Sequence, residues 1–143
     1  MIIPDVNLLI YAYISESRQH AAAEEWWEQA LGGEREEIGL AWIVVLGFLR
    51  IATNRKALTR PMSVDQATGL VRSWLRQETV RTVVPGEEHS EILFGLLEKI
   101  GTAGNLTTDA HLAALALEYG AKVATTDADF ARFTGVKWFN PLV

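Results

Sequence analysis

Residues 107–130 read TTDAHLAALALEYGAKVATTDADF, a pattern that predicts a helix followed by a short buried strand. Alanine and leucine dominate the first half, which favours a helix that ends at Gly120, and the apolar run after it favours a strand over 121–126. Asp109 lies in the first turn of the predicted helix, and Asp127 and Asp129 follow the predicted strand. In a parallel sheet the helix start and the strand end lie at the same edge, so these three aspartates are expected to converge there.

The beginning of the chain has the same arrangement of strand and aspartate. Residues 1–7 read MIIPDVN, in which two isoleucines favour a short strand that Asp5 closes, and the apolar residues after Asn7 favour a helix. Pro4 cannot donate to a sheet ladder, so a central position is acceptable only if the pairing of this strand ends at that residue. Asp5 is therefore expected at the edge that carries the other aspartates.

Three or four carboxylates gathered at one point predict a bound cation. Like charges a few Å apart cost several kcal/mol at protein dielectrics, so such a group does not stay fully ionised without a counterion. The chain has no cysteine, and its scattered histidines, His20, His89 and His111, are interpreted as structural. A ligand set made of oxygens suits Mg²⁺ or Mn²⁺ rather than Zn²⁺.

Each aspartate also has a purely structural interpretation. Asp109 would favour a helix start through capping and the helix dipole, and Asp127 or Asp129 would cap a short helix over 130–133. However, four of the five aspartates fall on the proposed edge, and only Asp65, at another predicted helix start, does not. Their joint placement favours a functional site.

Length and composition predict a single domain over residues 1–143. The hydrophobic fraction of 49% is enough for a core, and the absence of cysteine excludes a disulfide framework and fits a cytoplasmic protein. The apolar run over 38–49 is shorter than the roughly 20 residues that a membrane-spanning helix needs. The N-terminus has no basic segment before an apolar core, so we expect no export signal.

The charge is unevenly distributed along the chain. A net charge of -5 argues against nonspecific coating of nucleic acid. Residues 38–86 nevertheless carry seven basic and two acidic side chains, a balance of +5 that leaves -10 for the rest. This basic segment is either a docking surface for a polyanion or a set of ordinary solvated helix faces, and the charge pattern does not separate the two.

Strands and helices alternate along the whole chain. Beyond the pieces already described, apolar periodicity predicts strands over 36–42, 80–84 and 136–139 and helices over 20–31, 43–53, 63–77 and 87–100. This alternation is typical of an α/β fold. We therefore predict a three-layer α/β/α architecture with a mostly parallel sheet of four or five strands.

Together these motifs resemble those of the PIN-domain ribonucleases and, more narrowly, the VapC toxins of type II toxin–antitoxin pairs. The resemblance rests on PDVN at residues 4–7, DAHLAALA at 109–116 and TDADF at 126–130. It extends to LGFLRIATN at 46–54 and WFNPL at 138–142. Each motif alone is weak, but their order, spacing and total length make a specific pattern.

The resemblance implies a PIN-like parallel sheet and metal-dependent endonucleolytic cleavage of RNA. Asp5, Asp109 and Asp127 match the acidic site of that family, and Asp129 matches a fourth, more variable acidic position. In that family the carboxylates hold Mg²⁺ or Mn²⁺, which activates a water for in-line attack on a phosphodiester. The resemblance also implies a VapB-type antitoxin as partner, a homodimer and no association with membranes.

Three further residues match polar positions of the family. Asn7 and Thr126 match positions beside the acidic site. Arg50 matches the family's pattern on the third helix, where it would contact RNA or pair with a carboxylate. These matches make the three residues candidates for supporting roles.

This chain departs from the family pattern in one respect. The family commonly has a glutamate in the first turns of the third helix, near residues 44–46 of this chain, whereas residues 38–64 contain no acid. A site with one ligand fewer would bind metal more weakly, hold a single ion with more waters, or be inactive.

Two other functions remain open on the sequence. A degenerate PIN domain would bind RNA or a protein partner without cutting, and the missing helix carboxylate favours this alternative. A phosphohydrolase with a nucleophilic aspartate after the first strand would need a second acid two residues later, where this chain has Asn7. RNA cleavage that Asp5→Asn abolishes would exclude the first alternative, and activity on small phosphate esters but not on RNA would support the second.

Overall fold

The computed structural model describes residues 1–33 and 36–143, and its backbone forms one parallel sheet with helices packed around it. The strands are β1 (Ile2–Pro4), β2 (Ile38–Ala41), β3 (Val80–Val83), β4 (Lys122–Ala124) and β5 (Trp138–Phe139). The helices are α1 (Val6–Tyr13), α2 (His20–Gly32), α3 (Trp42–Ala52), α4 (Val64–Leu75), α5 (His89–Ile100) and α6 (Thr107–Tyr119). Two 3₁₀ turns, Gly104–Leu106 and Ala128–Arg132, precede α6 and follow β4.

The strand order is β3-β2-β1-β4-β5, and every neighbouring pair is parallel. The predicted α/β fold with a parallel sheet of four or five strands is therefore confirmed. Because all strands point the same way, their carboxyl ends share one edge of the sheet, and the helices that follow β1 and β2 begin at that edge.

β1 lies at the centre of the sheet although it ends in a proline. The amide of Ile2 donates toward β2, to the carbonyl of Glu37 at 2.9 Å, and the amide of Asp5 donates toward β4, to the carbonyl of Ala124 at 2.8 Å. Since donors alternate in direction along a strand, the nitrogen of Pro4 faces β2, where pairing has already ended at Ile2. From the sequence we required that pairing end at Pro4, and on the side that the nitrogen of Pro4 faces, pairing has ended.

The helices form two packed groups. α1 packs against α2 and α3, α3 packs against α4, and α5 packs against α6. Their apolar faces and the sheet bury a common core that includes Ile3, Leu9, Phe48, Val123 and Phe130. Within the described ranges, no helix has the length and apolar character to cross a bilayer.

An aromatic cluster fixes the C-terminal end of α1. The hydroxyl of Tyr13 accepts hydrogen bonds from Nε1 of Trp27 at 3.1 Å and from Nε1 of Trp74 at 2.8 Å. Phe48 packs edge-to-face on both Tyr13 and Trp74. Since these side chains come from four helices, the cluster holds one end of α1 while the other end carries Asp5.

All three histidines are held by contacts inside the fold. Nδ1 of His20 lies 2.9 Å from the carbonyl oxygen of Tyr11. His89 is buried between α5 and α6, where its ring nitrogens lie 2.9 Å from Glu118 Oε2 and 2.9 Å from His111 Nδ1. These contacts agree with the structural interpretation made from the sequence.

The observed element bounds are shorter than most of the predicted ones. β4 has three residues where the apolar run predicted 121–126, and β5 has two where 136–139 was predicted. α3 begins at Trp42, one residue before the predicted start.

Candidate active site

Asp5 joins the end of β1 to the start of α1. Its Oδ1 accepts a hydrogen bond from the amide of Val6 at 2.7 Å and so caps α1. Its Oδ2 accepts a hydrogen bond from the hydroxyl of Thr125 at 2.8 Å. Burial raises the pKa of Asp5, the two hydrogen bonds oppose that shift, and the charge of Asp127 adds to it. The carboxylate is thus held in one orientation, and each oxygen retains a lone pair.

Thr125 connects the ends of two neighbouring strands. Its fully buried side chain donates to Asp5, and its oxygen accepts a hydrogen bond from the amide of Asp127 at 2.9 Å. The predicted supporting residue Thr126 is half-buried and forms no side-chain hydrogen bond within the described residues. From the sequence we selected Thr126 and missed Thr125. Successive side chains of an extended chain point to opposite sides, so Thr125, and not Thr126, lies on the same side as Asp127.

Asp127 and Asp129 lie in the loop after β4. Oδ1 of Asp127 accepts a hydrogen bond from the amide of Asp129 at 2.8 Å, which caps the 3₁₀ turn Ala128–Arg132. The capping interpretation is therefore correct for Asp127, but it uses only one of the two carboxylate oxygens. Asp129 is exposed to solvent.

Asp109 lies in the first turn of α6, but it does not cap that helix. No side chain of the described residues forms a capping hydrogen bond at Leu106, the N-cap residue of α6. Burial, and after it the charges of Asp5, Asp127 and Asp129 in that order, together raise the pKa of Asp109 to about 7. Stabilisation by a helix N-terminus would lower this pKa. The electrostatic environment of Asp109 is thus set by burial and by the other three aspartates.

The donor set fits a hard divalent cation, although the side chains do not already enclose one. In residues 1–33 and 36–143, no three His, Cys, Asp or Glu side chains converge closely enough to hold a metal ion as they stand. The raised pKa of Asp109 nevertheless indicates a position where positive charge would be stabilising. Mg²⁺ usually keeps several waters and takes only one or two protein carboxylates, so a fully formed cage is not required.

A groove of about 370 Å³ opens beside Asp5 and Asp109. Val6 of α1, several residues of α3 and Leu112 of α6 form its walls. Arg50 lines the same groove as Asp5 and Asp109, and it forms no salt bridge with either carboxylate. Asn7 is half-buried in the first turn of α1.

A larger cavity is remote from the aspartates. It measures about 600 Å³ and opens beside Ile2, Ile38 and Lys122, which begin β1, β2 and β4. This places it at the amino ends of the strands, opposite the carboxyl edge. None of the predicted site residues lines it, so the smaller groove is the candidate active site.

α3 contributes no acid to the groove. Its side chains at Ile43, Val44 and Leu46 line the groove. Val44 and Val45 are both buried, each 2% exposed, but Val45 does not reach the groove. Gly47 also lines the groove, and a Cβ atom at this position would lie 3.1 Å from Cγ2 of Val6. Where the family commonly has the helix carboxylate, α3 of this chain therefore presents three apolar residues, Ile43, Val44 and Leu46, and a glycine to the groove.

Known proteins share this sequence and fold. The PIN domain family matches residues 2–136. Ribonuclease VapC33 of Mycobacterium tuberculosis is 46% identical over 142 residues, which cover 99% of each chain. The crystal structure of VapC20 of the same organism, described as a sarcin-ricin loop cleaving toxin, has a TM-score of 0.68 at 15% identity and covers 96% of this chain and 99% of that one. VapBC2 from Rickettsia felis, solved bound to a DNA fragment from its promoter, has a TM-score of 0.67 at 18% identity and covers 98% of both chains.

The chain belongs to the PIN-domain family, since both the fold and the family match extend over nearly its whole length. Within that family it is of the VapC type, because its full-length similarity to VapC33 far exceeds what the fold alone requires. The resemblance identified from the sequence motifs is thereby confirmed.

Proposed function

We propose that this protein is a metal-dependent endoribonuclease and the toxin of a VapBC-type toxin–antitoxin pair. The observation that supports this most directly is the position of Asp109, whose pKa is raised to about 7 by burial and by the charges of Asp5, Asp127 and Asp129. Carboxylates that repel one another at the carboxyl edge of a parallel sheet are typical of a cation site. The name of the relative VapC33, a ribonuclease, is consistent with this chemistry.

Asp5, Asp109 and Asp127 would hold Mg²⁺ or Mn²⁺, with Asp129 as a fourth ligand. The chemistry that such an ion supplies is activation of a water for in-line attack on a phosphodiester and neutralisation of the phosphate charge. Thr125 keeps Asp5 in position through its hydroxyl.

Three residues near the acids would support RNA binding or the site itself. Arg50 is exposed on the groove and would neutralise a phosphate next to the one that is cut. Asn7 and Thr126 are both half-buried beside the aspartates, where they would hydrogen-bond waters or the substrate.

The proposed partner is a VapB-type antitoxin. Support comes from the VapC type of this chain and from its structural similarity to VapBC2, which was solved together with its partner. A homodimer remains a prediction from the family. Since the proposed substrate is cellular RNA, we place the activity in the cytoplasm.

Cleavage of total cellular RNA by the purified protein tests the proposal. Discrete fragments are expected with Mg²⁺ or Mn²⁺ under single-turnover conditions, and none with EDTA. Asp5→Asn and Asp109→Asn should each lower the cleavage rate at least about a hundredfold, whereas Asp65→Asn, which lies in the first turn of α4, should not change it. If Asp5→Asn and Asp109→Asn cut as fast as wild type, the proposed site is wrong. Turnover of small phosphate esters without RNA cleavage would favour a phosphohydrolase instead.

A second candidate is a PIN domain that binds RNA or a protein partner without cutting. Two observations favour it: no three ligating side chains converge in the described part of the chain, and α3 supplies no acid. RNA binding that survives EDTA, together with no cleavage at millimolar Mn²⁺, would support this candidate over the nuclease.

A further inference from the structure

The first two turns of α3 expose an apolar surface next to the aspartates. Trp42, Ile43 and Leu46 are 51%, 37% and 58% exposed. Ile43 and Leu46 line the groove beside Asp5 and Asp109. Large exposed apolar side chains at the border of a candidate active site usually contact a ligand.

Gly47 keeps the groove open between α3 and α1. A Cβ atom here would lie 3.1 Å from Cγ2 of Val6, so any side chain at position 47 would crowd α1 or occupy the groove. The resulting volume of about 370 Å³ lies within the range of about 300–1,000 Å³ that small-ligand sites occupy. The groove is therefore large enough for one planar group of a ligand, set against Leu46 and Ile43.

Charge is arranged on both sides of this apolar surface. The carboxylates of Asp5 and Asp109 lie at one side, and Arg50 lies farther along the same helix. Arg55 and Lys56 are exposed just beyond the end of α3, and neither they nor Arg50 form a salt bridge with a residue that the structure describes. A nucleic acid strand, which alternates phosphates with apolar bases, is complementary to this order of charged and apolar surfaces.

We propose that the groove receives one base of the RNA substrate, from a nucleotide next to the scissile phosphate. Arg50 then contacts the other phosphate of that nucleotide, the one that is not cut. This inference rests on the proposed nuclease function and adds to it a subsite formed by Ile43, Leu46 and Gly47. A base enters the groove only if it is neither paired nor stacked, so the preferred substrates are single strands and loops. The lining is mostly apolar, which selects an unpaired nucleotide more strongly than one particular base.

The test uses a 5′-fluorescein-labelled RNA of 12 nucleotides with randomised sequence, and a labelled duplex of equal length. Leu46→Ala removes apolar surface from the groove, and Leu75→Ala is its matched control, since Leu75 is 38% exposed at the end of α4 and does not line the groove. The kcat/KM for the single strand is expected to fall about tenfold in Leu46→Ala, a size expected from losing the apolar surface that one leucine buries against a base. Leu75→Ala should stay within about twofold of wild type.

Binding provides a readout that does not depend on turnover. In the Asp5→Asn background, fluorescence anisotropy should show that Leu46→Ala binds the labelled single strand about tenfold more weakly. The duplex should bind weakly whether position 46 is leucine or alanine. Thermal unfolding shows whether a variant is folded, and Ile43→Ala gives a second test at another groove residue.

The outcomes separate the subsite from the nuclease function. If wild type cleaves RNA and both Leu46→Ala and Ile43→Ala cleave and bind the single strand as wild type does, the base subsite is overturned and the groove belongs to a protein partner. If the duplex binds and is cut as well as the single strand, the subsite is overturned too. If wild type cleaves no RNA at all, the proposed function itself fails.

Discussion

The hydroxyl of Thr125 donates a hydrogen bond of 2.8 Å to Oδ2 of Asp5 and so joins the ends of β4 and β1 through their side chains. The backbone joins them as well, since the amide of Asp5 donates to the carbonyl of Ala124 at 2.8 Å. The carboxylate of Asp5 is consequently oriented before any substrate or ion arrives, which is the arrangement expected of a preorganised site.

Removing the hydroxyl of Thr125 should impair the site while leaving the fold intact. In Thr125→Val the shape is kept, but the pKa of Asp5 rises because a donor to its carboxylate is lost. We expect RNA cleavage to slow about 10- to 100-fold and Mn²⁺ binding, measured by titration calorimetry, to weaken. Thr125→Ser keeps the hydroxyl and should recover most of the rate. A Thr125→Val enzyme within twofold of wild type would contradict this role.

Asp109 should destabilise the metal-free protein at high pH. Its pKa is 3.8 in a model peptide and about 7 in the fold, so the folded state binds this proton more tightly than the unfolded chain. Between those two values the contribution of Asp109 to the free energy of unfolding falls as the pH rises. In EDTA, Asp109→Asn should therefore raise Tm at pH 8 by ~2 °C or more, and the gain should shrink toward zero near pH 4.

Two controls accompany this pH prediction. Asp65→Asn should give no such pH-dependent gain, because Asp65 is exposed at the start of α4. Excess Mn²⁺ at pH 8 should reverse the order, since wild type retains the ligand that Asp109→Asn lacks. A gain of equal size at pH 4 and pH 8 would show that ionisation of Asp109 is not its cause.

Gly47→Glu should strengthen metal binding by supplying a carboxylate from α3. The position lines the groove together with Asp5 and Asp109. Replacing a helical glycine gains about 1 kcal/mol of helix propensity, which offsets part of the crowding against Val6. We expect Mn²⁺ to bind about tenfold more tightly in calorimetry, and Gly47→Gln to show no gain. Binding is the readout because the longer side chain also occupies the groove. Equal affinities of the Glu and Gln variants would disprove the prediction.

Tyr13→Phe should destabilise the protein through two indoles at once. The lost hydroxyl leaves Nε1 of Trp27 and Nε1 of Trp74 buried without an acceptor. Each buried unsatisfied donor costs about 1–3 kcal/mol, so the loss of the acceptor for two donors should lower the free energy of unfolding in urea by roughly 2–6 kcal/mol. Tyr11→Phe is the matched control. Among the described residues the hydroxyl of Tyr11 has no hydrogen-bond partner, and only its backbone carbonyl takes part in a hydrogen bond to a side chain, that of His20. Similar losses in both variants would argue against the shared acceptor.

The position of the aspartates was predictable from the sequence because it depends on local features. Once strands and helices alternate in a parallel sheet, residues at strand ends and helix starts meet at one edge whatever the strand order. Asp5, Asp109 and Asp127 follow from this rule alone. Their assignment as metal ligands remains a prediction, and so does that of Asp129.

Other features depend on contacts that no local pattern specifies. The shared acceptor of Trp27 and Trp74 is Tyr13, which is 61 residues from Trp74 in the chain. The central place of β1 results from pairing with two strands distant in sequence. The face of α3 that meets α1 is set by packing between the two helices, which places Gly47 on the groove and next to Val6.

The tryptophans of this chain are placed so that the protein carries its own optical reporters. Trp27 and Trp74 are each 1% exposed in the aromatic cluster, whereas Trp42 is 51% exposed beside the groove. Indoles in an apolar interior emit at shorter wavelengths than indoles in water. Trp26 and Trp138 are half-buried, so Trp42 is the most exposed of the five tryptophans and contributes most to the red side of the emission, which acrylamide quenches first. A change in that component when RNA is added would report on the surface at the start of α3. The blue side reports on the packing of the core, so binding and unfolding can be followed in one unlabelled sample.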